Sequence, residues 1–331
     1  MISFHHNPFL LFVSFDKSAS YLLTNLVMLG TNIVFLDGGR VMDDYLVAAV
    51  IGIIFGFISR LTLLRTDFRQ YPTYPQGRII HLSFGFIAAF IGAVAIPAFL
   101  ESDWTAVTFL GLAATQFREV RKMERESLEK IDGDEIVKRG TPFIEGMAQA
   151  FESRNYLVMF TALITTLFCV INIYVGIISG IILLFVVRQN MSGKLLMDMA
   201  DIEEGDIRFE GPTLFVSDIL IKNVGLEDSR KIIQEKAVGV IVTPKNENSV
   251  VTISHLGQRQ AMLHHVANVL GAFLDSGEPA LVPLAKRDME DGRVALFIMP
   301  REKDFAQIKD VLEHVPILDS ALRLPSEAGT N

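Results

Sequence analysis

The stretch YLVMFTALITTLFCVINIYVGIISGIILLFVV, Tyr156–Val187, decides the fold class: it runs 32 residues without a charged side chain. As one straight helix it would measure about 48 Å, well beyond the ~30 Å hydrocarbon core of a bilayer. Asn172 and Gly176 near its middle predict a tight hairpin of two short crossings instead. Two runs upstream also reach spanning length. Tyr45–Leu64 carries one charge, Arg60, close enough to its end to snorkel, and Ile79–Leu100 is interrupted only by His81 and Pro97. Ala106–Phe117 (AVTFLGLAATQF) is short for a crossing by itself.

Charge placement orders these segments. Arg60, Arg65, Arg69 and Arg78 mark one loop (60–78). Arg118, Arg121, Lys122, Arg125, Lys130, Lys138, Arg139 and Arg154 mark another (118–155). The positive-inside rule puts both in the cytoplasm. The chain must then leave after Leu100 and return before Arg118, so Trp104–Phe117 crosses and continues as a helix through Lys130. Five crossings follow, with a cytoplasmic C-terminal domain. Residues 1–44 read as an interfacial segment without a signal peptide; Tyr21–Leu36 is marginal for a sixth crossing.

The composition agrees. Half of the 331 residues are apolar, 21% are charged, and the mean hydropathy is +0.37. Residues 201–331 hold 21 Asp and Glu against 14 Lys and Arg, a net charge of −7, which leaves −1 of the total −8 for residues 1–200. This is a membrane domain (45–190) followed by an acidic soluble domain (205–324) and a tail (325–331). A single cysteine, Cys169, excludes a disulfide scaffold, and an isoelectric point near 5.4 argues against nucleic acid as a partner.

The soluble part reads as repeated ββα units in an α+β domain. Strands Val238–Pro244 and Ser249–His255 precede a helix Gln258–Phe273. Strands Ala280–Lys286 and Arg293–Pro300 precede a helix Glu302–His314. A weaker copy has strands Ile207–Glu210 and Thr213–Ile219 and a helix Glu227–Ala237. The copies are expected to share one sheet with helices on one side.

Standard catalytic and cofactor signatures are missing: no H-E-x-x-H, Walker loop, G-x-S-x-G or paired cysteines. Ser179-Gly180 reads as a packing contact, and Asp132-Gly133-Asp134 as a solvated turn. His255, His264 and His265 are read as structural rather than metal ligands. His81 reads as an interfacial histidine one turn from Arg78; as a base for Ser83 it would be a catalytic candidate. Polar residues concentrate beside the membrane instead. Arg69, Tyr71, Tyr74 and Gln76 lie in a segment held extended by two X-Pro steps. Gln116 precedes Arg118, Arg121 and Arg125, which share one helix face as a basic platform.

Phe143-Ile144-Glu145-Gly146-Met147-Ala148 resembles the signature hexapeptide of the YIEGIA family, with Phe for its leading Tyr and Met for its second Ile. The blocks DFRQYPTYPQG (67–77), GFIAAFIGAVAIPAF (85–99), AVTFLGLAATQFREVRKMERESL (106–128) and FESRNYLVMFTALITT (151–166) are similar to it as well, so the resemblance covers roughly 45–320. It implies an integral protein of the cell membrane in spore-forming Gram-positive bacteria, linked to sporulation; no activity comes with it. Glu145, flanked by Arg139 and Arg154, is expected to pair with an arginine of 118–125, and Gly146 to let another backbone approach. The leading expectation is a multi-pass regulatory or assembly factor in the lipid bilayer that recruits cytoplasmic proteins. A membrane-associated protease using Glu145, His81 or Ser83 is the alternative, and a transporter is third because the spans carry almost no ionisable groups.

Overall fold

The structure, a computed structural model, describes residues 39–70, 75–190, 193–273 and 279–322. The expected interfacial segment lies almost wholly outside the described residues, as do Tyr71, Tyr74 and the tail. Among the described residues five helices come first: α1 (Gly39–Gln70), α2 (Pro75–Leu100), α3 (Trp104–Asp132), α4 (Thr141–Ile171) and α5 (Ile173–Asn190). Among the described residues three apolar helical segments are long enough to cross a membrane: Tyr45–Leu64, Gly77–Leu100 and Thr141–Ile171. Ile173–Gln189 is apolar but shorter. The chain divides into two compact units. The first takes in 39–65, 75–119 and 153–189; the second takes in 66–70, 120–152 and the described residues from 190 onward.

In the first unit the helices meet through small residues, as helices do in lipid. A Cβ on Gly56 would lie 2.9 Å from both Ala162 Cβ and Ala89 Cβ, and one on Gly92 would press into the backbone of Met159. Large apolar side chains such as Val47, Ile54, Phe86, Ile181 and Phe185 face outward. The α4–α5 junction is a reversal. Asn172 Oδ1 accepts from Tyr174 N at 2.9 Å and Val175 N at 3.3 Å, capping α5. Gly176 and Cys169 would stand about 10 Å apart along one helix, yet a Cβ on Gly176 would lie 2.7 Å from Cys169 Cα.

The second unit carries the remaining elements. These are α6 (Leu196–Met199), β1 (Ala200–Gly205), β2 (Ile207–Glu210), β3 (Thr213–Val216), β4 (Ile219–Asn223), α7 (Glu227–Lys236), β5 (Val238–Pro244), α8 (Glu247–Ser254), α9 (Leu256–Leu270), β6 (Leu284–Arg287), β7 (Val294–Ile298) and α10 (Phe305–Glu313). Two antiparallel sheets form, one ordered β1-β5-β7-β6 and the other β2-β3-β4. The strands VGVIV and VALFI are apolar at every position because both faces of their sheet are covered. Val240, Val242, Leu296 and Ile298 enter a core with Met262, Val266, Ile308 and Leu312 of the helices. Ile241, Ala295 and Phe297 enter a second core with Leu214, Val216 and Ile221 of the smaller sheet and Ile233 of α7.

The arrangement corrects the expected repeats. Ser249–His255 lies in a helix, α8, and its continuation rather than a strand. Asn246 caps the helix by accepting from Ser249 N at 2.9 Å, and Ser249, Thr252 and Ile253 bury one helical face. A good cap and a buried stripe override the strand preference of Val-Val-Thr-Ile. The weak first copy holds three strands before its helix. The soluble fold also begins before 205, because β1 pairs along its full length with β5, from Ala200 opposite Pro244 to Gly205 opposite Gly239.

Candidate functional site

The hexapeptide occupies the first turns of α4, in the second unit. Phe143, Ile144, Gly146, Met147 and Ala148 are buried, while Glu145 keeps a third of its side chain exposed. Gly146 is where a bare helix face is required: a Cβ there would come 2.5 Å from Ser320 Oγ and 3.5 Å from its Cβ. Phe143 meets the His264 ring edge-on at 6.3 Å. Gly257, in the first turn of α9, would with a Cβ stand 2.9 Å from Pro142 O. The hexapeptide thus seats against the α+β elements of its own unit.

Glu145 and Glu152, two turns apart on α4, face Arg121 and Arg125, one turn apart on α3. Arg121 donates to both carboxylates, Nη2 to Glu145 Oε1 and Nη1 to Glu152 Oε2 at 3.1 Å; Arg125 Nη1 stands 3.6 Å from Glu145 Oε2. The two hydrogen bonds, Glu145 first and Glu152 second, raise the Arg121 pKa above its ordinary value. Both Glu145 oxygens therefore face guanidiniums. Its described contacts include no Ser, His or Cys to act as nucleophile or second proton carrier.

The loop between α3 and α4 is clipped by Asp132, which accepts from Arg139 N at 2.6 Å and Gly140 N at 3.1 Å. Asp132 is buried, a correction to the solvated turn expected there; an aspartate that caps two amides beside a buried arginine is worth desolvating. Gly140 has φ +77°, the left-handed turn that glycine supplies before α4 begins. His264 Nδ1 lies 2.7 Å from Val137 O, so the ring proton sits on Nδ1 and donates to that carbonyl. Burial lowers the His264 pKa, against a raising contribution from this bond.

In the first unit Arg60 does not snorkel. It is fully buried, its stem lies against Gly85, Nε donates to His81 O at 3.2 Å, and Nη2 stands 3.0 Å from His81 Nδ1. A guanidinium only donates, so Nδ1 is the acceptor. His81 is likewise buried rather than interfacial, and that nitrogen is engaged by Arg60 instead of a serine. Ser83 is half-buried and two residues on, a spacing at which helical side chains do not face each other. Composition missed this contact because it cannot say which side of a helix faces lipid; Gly85, one turn after His81, was the available signal.

The other proposed residues are dispersed. Gln116 is half-buried on α3, Arg118 is exposed, and Arg154 is buried in α4. Arg69 and Gln76 fall on α1 and α2, with side chains outside the described residues. Among the described residues no group of His, Cys, Asp and Glu is placed to hold a metal ion.

These features define a helical membrane protein whose signature motif packs within an α+β unit. The chain belongs to the YIEGIA family, described as YIEGIA protein, which it matches over residues 48–328. It is 48% identical over 287 residues to "Uncharacterized protein YphB" of Bacillus subtilis (strain 168), covering 86% of this chain and 97% of that protein. No solved structure matches it.

Proposed function

We propose that the chain is a five-crossing protein of the cell membrane with its α+β domain in the cytoplasm. It serves sporulation there as a regulatory or assembly factor that recruits cytoplasmic protein partners. The observation that carries this reading is the use made of the hexapeptide. Five of its residues are buried, and the sixth, Glu145, joins α3 to α4 through Arg121 and Arg125. The motif builds a rigid bracket, and among the described residues the printed contacts of its one carboxylate, Glu145, are to arginines.

The division into units supports an even number of crossings for 153–189, because residues on both sides of that segment belong to one unit. At 1.5 Å per residue, 153–171 reaches about 28 Å and 173–189 about 25 Å, each near the thickness of a hydrocarbon core. The basic loops support the inward assignment. Sporulation rests on the family resemblance alone.

The test is Glu145→Gln in a sporulating host, scored for abundance, membrane insertion and spore formation. The paired groups are 32%, 38% and 39% exposed, so solvent screens them. The charge-assisted bonds are then worth about 1 kcal/mol rather than the larger figure for full burial. A loss of that size lowers abundance and function together, and adding Arg121→Gln costs more again, because it also takes the donor from Glu152. A variant that accumulates and inserts normally yet forms no spores would overturn this reading in favour of a membrane-associated protease.

A further inference from the structure

The sheet β1-β5-β7-β6 ends on β1, whose outer edge pairs with no strand among the described residues. Lys245 N donates to Met199 O at 3.0 Å, which fixes the phase of the β1–β5 ladder. Antiparallel pairs alternate between bonded and non-bonded. Asp201 and Glu203 therefore bond to β5, while Ile202 and Glu204 turn their amides and carbonyls outward. No described residue hydrogen-bonds to those outward groups. A cavity of about 320 Å³ lies along this edge. Residues from both faces of β1 line it, Ile202 from one and Asp201 and Glu203 from the other, and α10 supplies Lys309 and Glu313.

Charge decides what can join this edge. Lys245 stands 3.5 Å from Asp201, and Lys309 stands 4.0 Å from Glu313. Glu203 and Glu204 are exposed and have no charged partner among the described residues. Two copies of the chain joined edge to edge would set Glu203 opposite Glu203 or Asp201, and like charges directly opposite are destabilising. Charges on an edge strand guard against such self-pairing. The terminal stretches 1–38 and 323–331 contain Lys17 and Arg323 as their only Lys or Arg, so neither offers a pair of cations. The occupant that matches two adjacent free carboxylates beside an open ladder is a basic strand from another protein.

We propose that the outer edge of β1 accepts an extended segment of a cytoplasmic protein partner as an added antiparallel strand, with an apolar residue beside Ile202 and Lys or Arg beside Glu203 and Glu204. Main-chain bonds to Ile202 and Glu204 supply the attachment, and the two carboxylates select the side chains. The strand pairs of this sheet are all antiparallel, which sets the direction. The proposal rests on the recruitment reading, to which it adds a surface and the chemistry of the partner.

The experiment uses the full-length chain in nanodiscs of neutral lipid and a fluorescein-labelled peptide, Thr-Lys-Lys-Val-Thr-Thr, with binding read as anisotropy at constant ionic strength. Laid antiparallel to β1, its first Lys faces Glu204, its second faces Glu203 and its Val faces Ile202. N-methylation of the first Lys and of Val, whose amides point at β1, should abolish binding. N-methylation of the second Lys and of the Thr after Val, whose amides point away, should leave it nearly unchanged. Glu203→Lys and Glu204→Lys should each weaken binding roughly tenfold, because each turns a cross-strand attraction into a repulsion. Both positions are exposed, so these variants should keep the parent's unfolding midpoint. No binding of the unmodified peptide, equal binding of the two methylated peptides, or indifference to both substitutions overturns the site. Binding that appears only after 323–331 are removed assigns the edge to the tail, and discs holding two chains that the peptide does not separate assign it to a second copy; either result overturns it as well. Purified Glu145→Gln should bind the peptide as the parent does. A stable but inactive Glu145→Gln variant in cells therefore removes the recruitment reading, while lost peptide binding removes only this edge.

Discussion

Removing the residues before 205 should unfold the α+β domain, although a reading of the strand pattern places the boundary there. The truncation deletes α6 and nearly all of β1. Leu196 is fully buried in the helix-side core, and Met199, Ala200 and Ile202 are buried there too. At about 1.5–3 kcal/mol for each large side chain, the three large residues contribute roughly 5–9 kcal/mol. That figure is an upper estimate, because an unfolded chain already hides part of this surface. Deletion also opens the β5 edge, which loses its pairing with β1. A domain of this size holds about 5–15 kcal/mol in total. Residues 193–331 should therefore show a cooperative urea transition, and residues 205–331 should show none, with weak near-ultraviolet circular dichroism. The comparison is internally controlled, since both fragments lack Val137 and the rest of the bracket. Equal midpoints and equal m-values for the two fragments would refute the assignment of β1 and α6 to the core.

Gly92→Ala should destabilise the membrane unit by about 1–3 kcal/mol, because the added methyl meets the Met159 backbone, which cannot swing aside. Gly111→Ala, with open space around the new Cβ, should instead stabilise by up to about 1 kcal/mol, and unfolding midpoints in detergent separate the two. The His264 pKa is lowered in the folded state, so the unfolded chain takes up the proton first as pH falls below about 6.5. Stability should be full above that pH and decline below it, and His264→Gln should flatten part of the decline in midpoints measured from pH 8 to 5. Reporters active only in the cytoplasm should work both near Asp132 and after Lys194; silence at the second site alone would remove the hairpin.

The reversal between α4 and α5 was legible because an uncharged run of 32 residues is too long for one straight crossing, and Asn172 marks its turn. Strands β5 and β7 were legible from unbroken apolar character. That same character concealed the second sheet, because VALFI does not reveal whether helices or strands cover each face. β1 was passed over despite its Ala-Asp-Ile-Glu alternation, since its acidic half resembles a linker. α8 was misread because Val250, Val251, Thr252 and Ile253 favour strands, while the deciding residue, Asn246, stands outside that run. In the candidate site, the charges of Glu145 and Arg121 suggested an attraction between them. The burial of Asp132 follows from amides at Arg139 and Gly140, which composition does not mark as donors, and the seating of Gly146 on Ser320 joins residues more than 100 positions apart, which no local pattern carries.

The second unit is interrupted in sequence by 153–189, and this has a consequence for biosynthesis. Residues 120–152 leave the ribosome early, but the strands and helices that complete their unit arrive later. At roughly 5–20 residues per second, about 10–30 s separate the emergence of Val137 from that of β7. Throughout that interval Phe143, Met147 and Phe151 have no finished surface to rest on, and on the proposed five-crossing topology the intervening segment meanwhile partitions into lipid. If that segment fails to return to the starting side, the early and late pieces end on opposite sides of the bilayer and the unit cannot close. On that topology, completion of the α+β fold reports that the hairpin was inserted correctly, and a quality-control protease that degrades exposed apolar helices would remove the chains in which it was not.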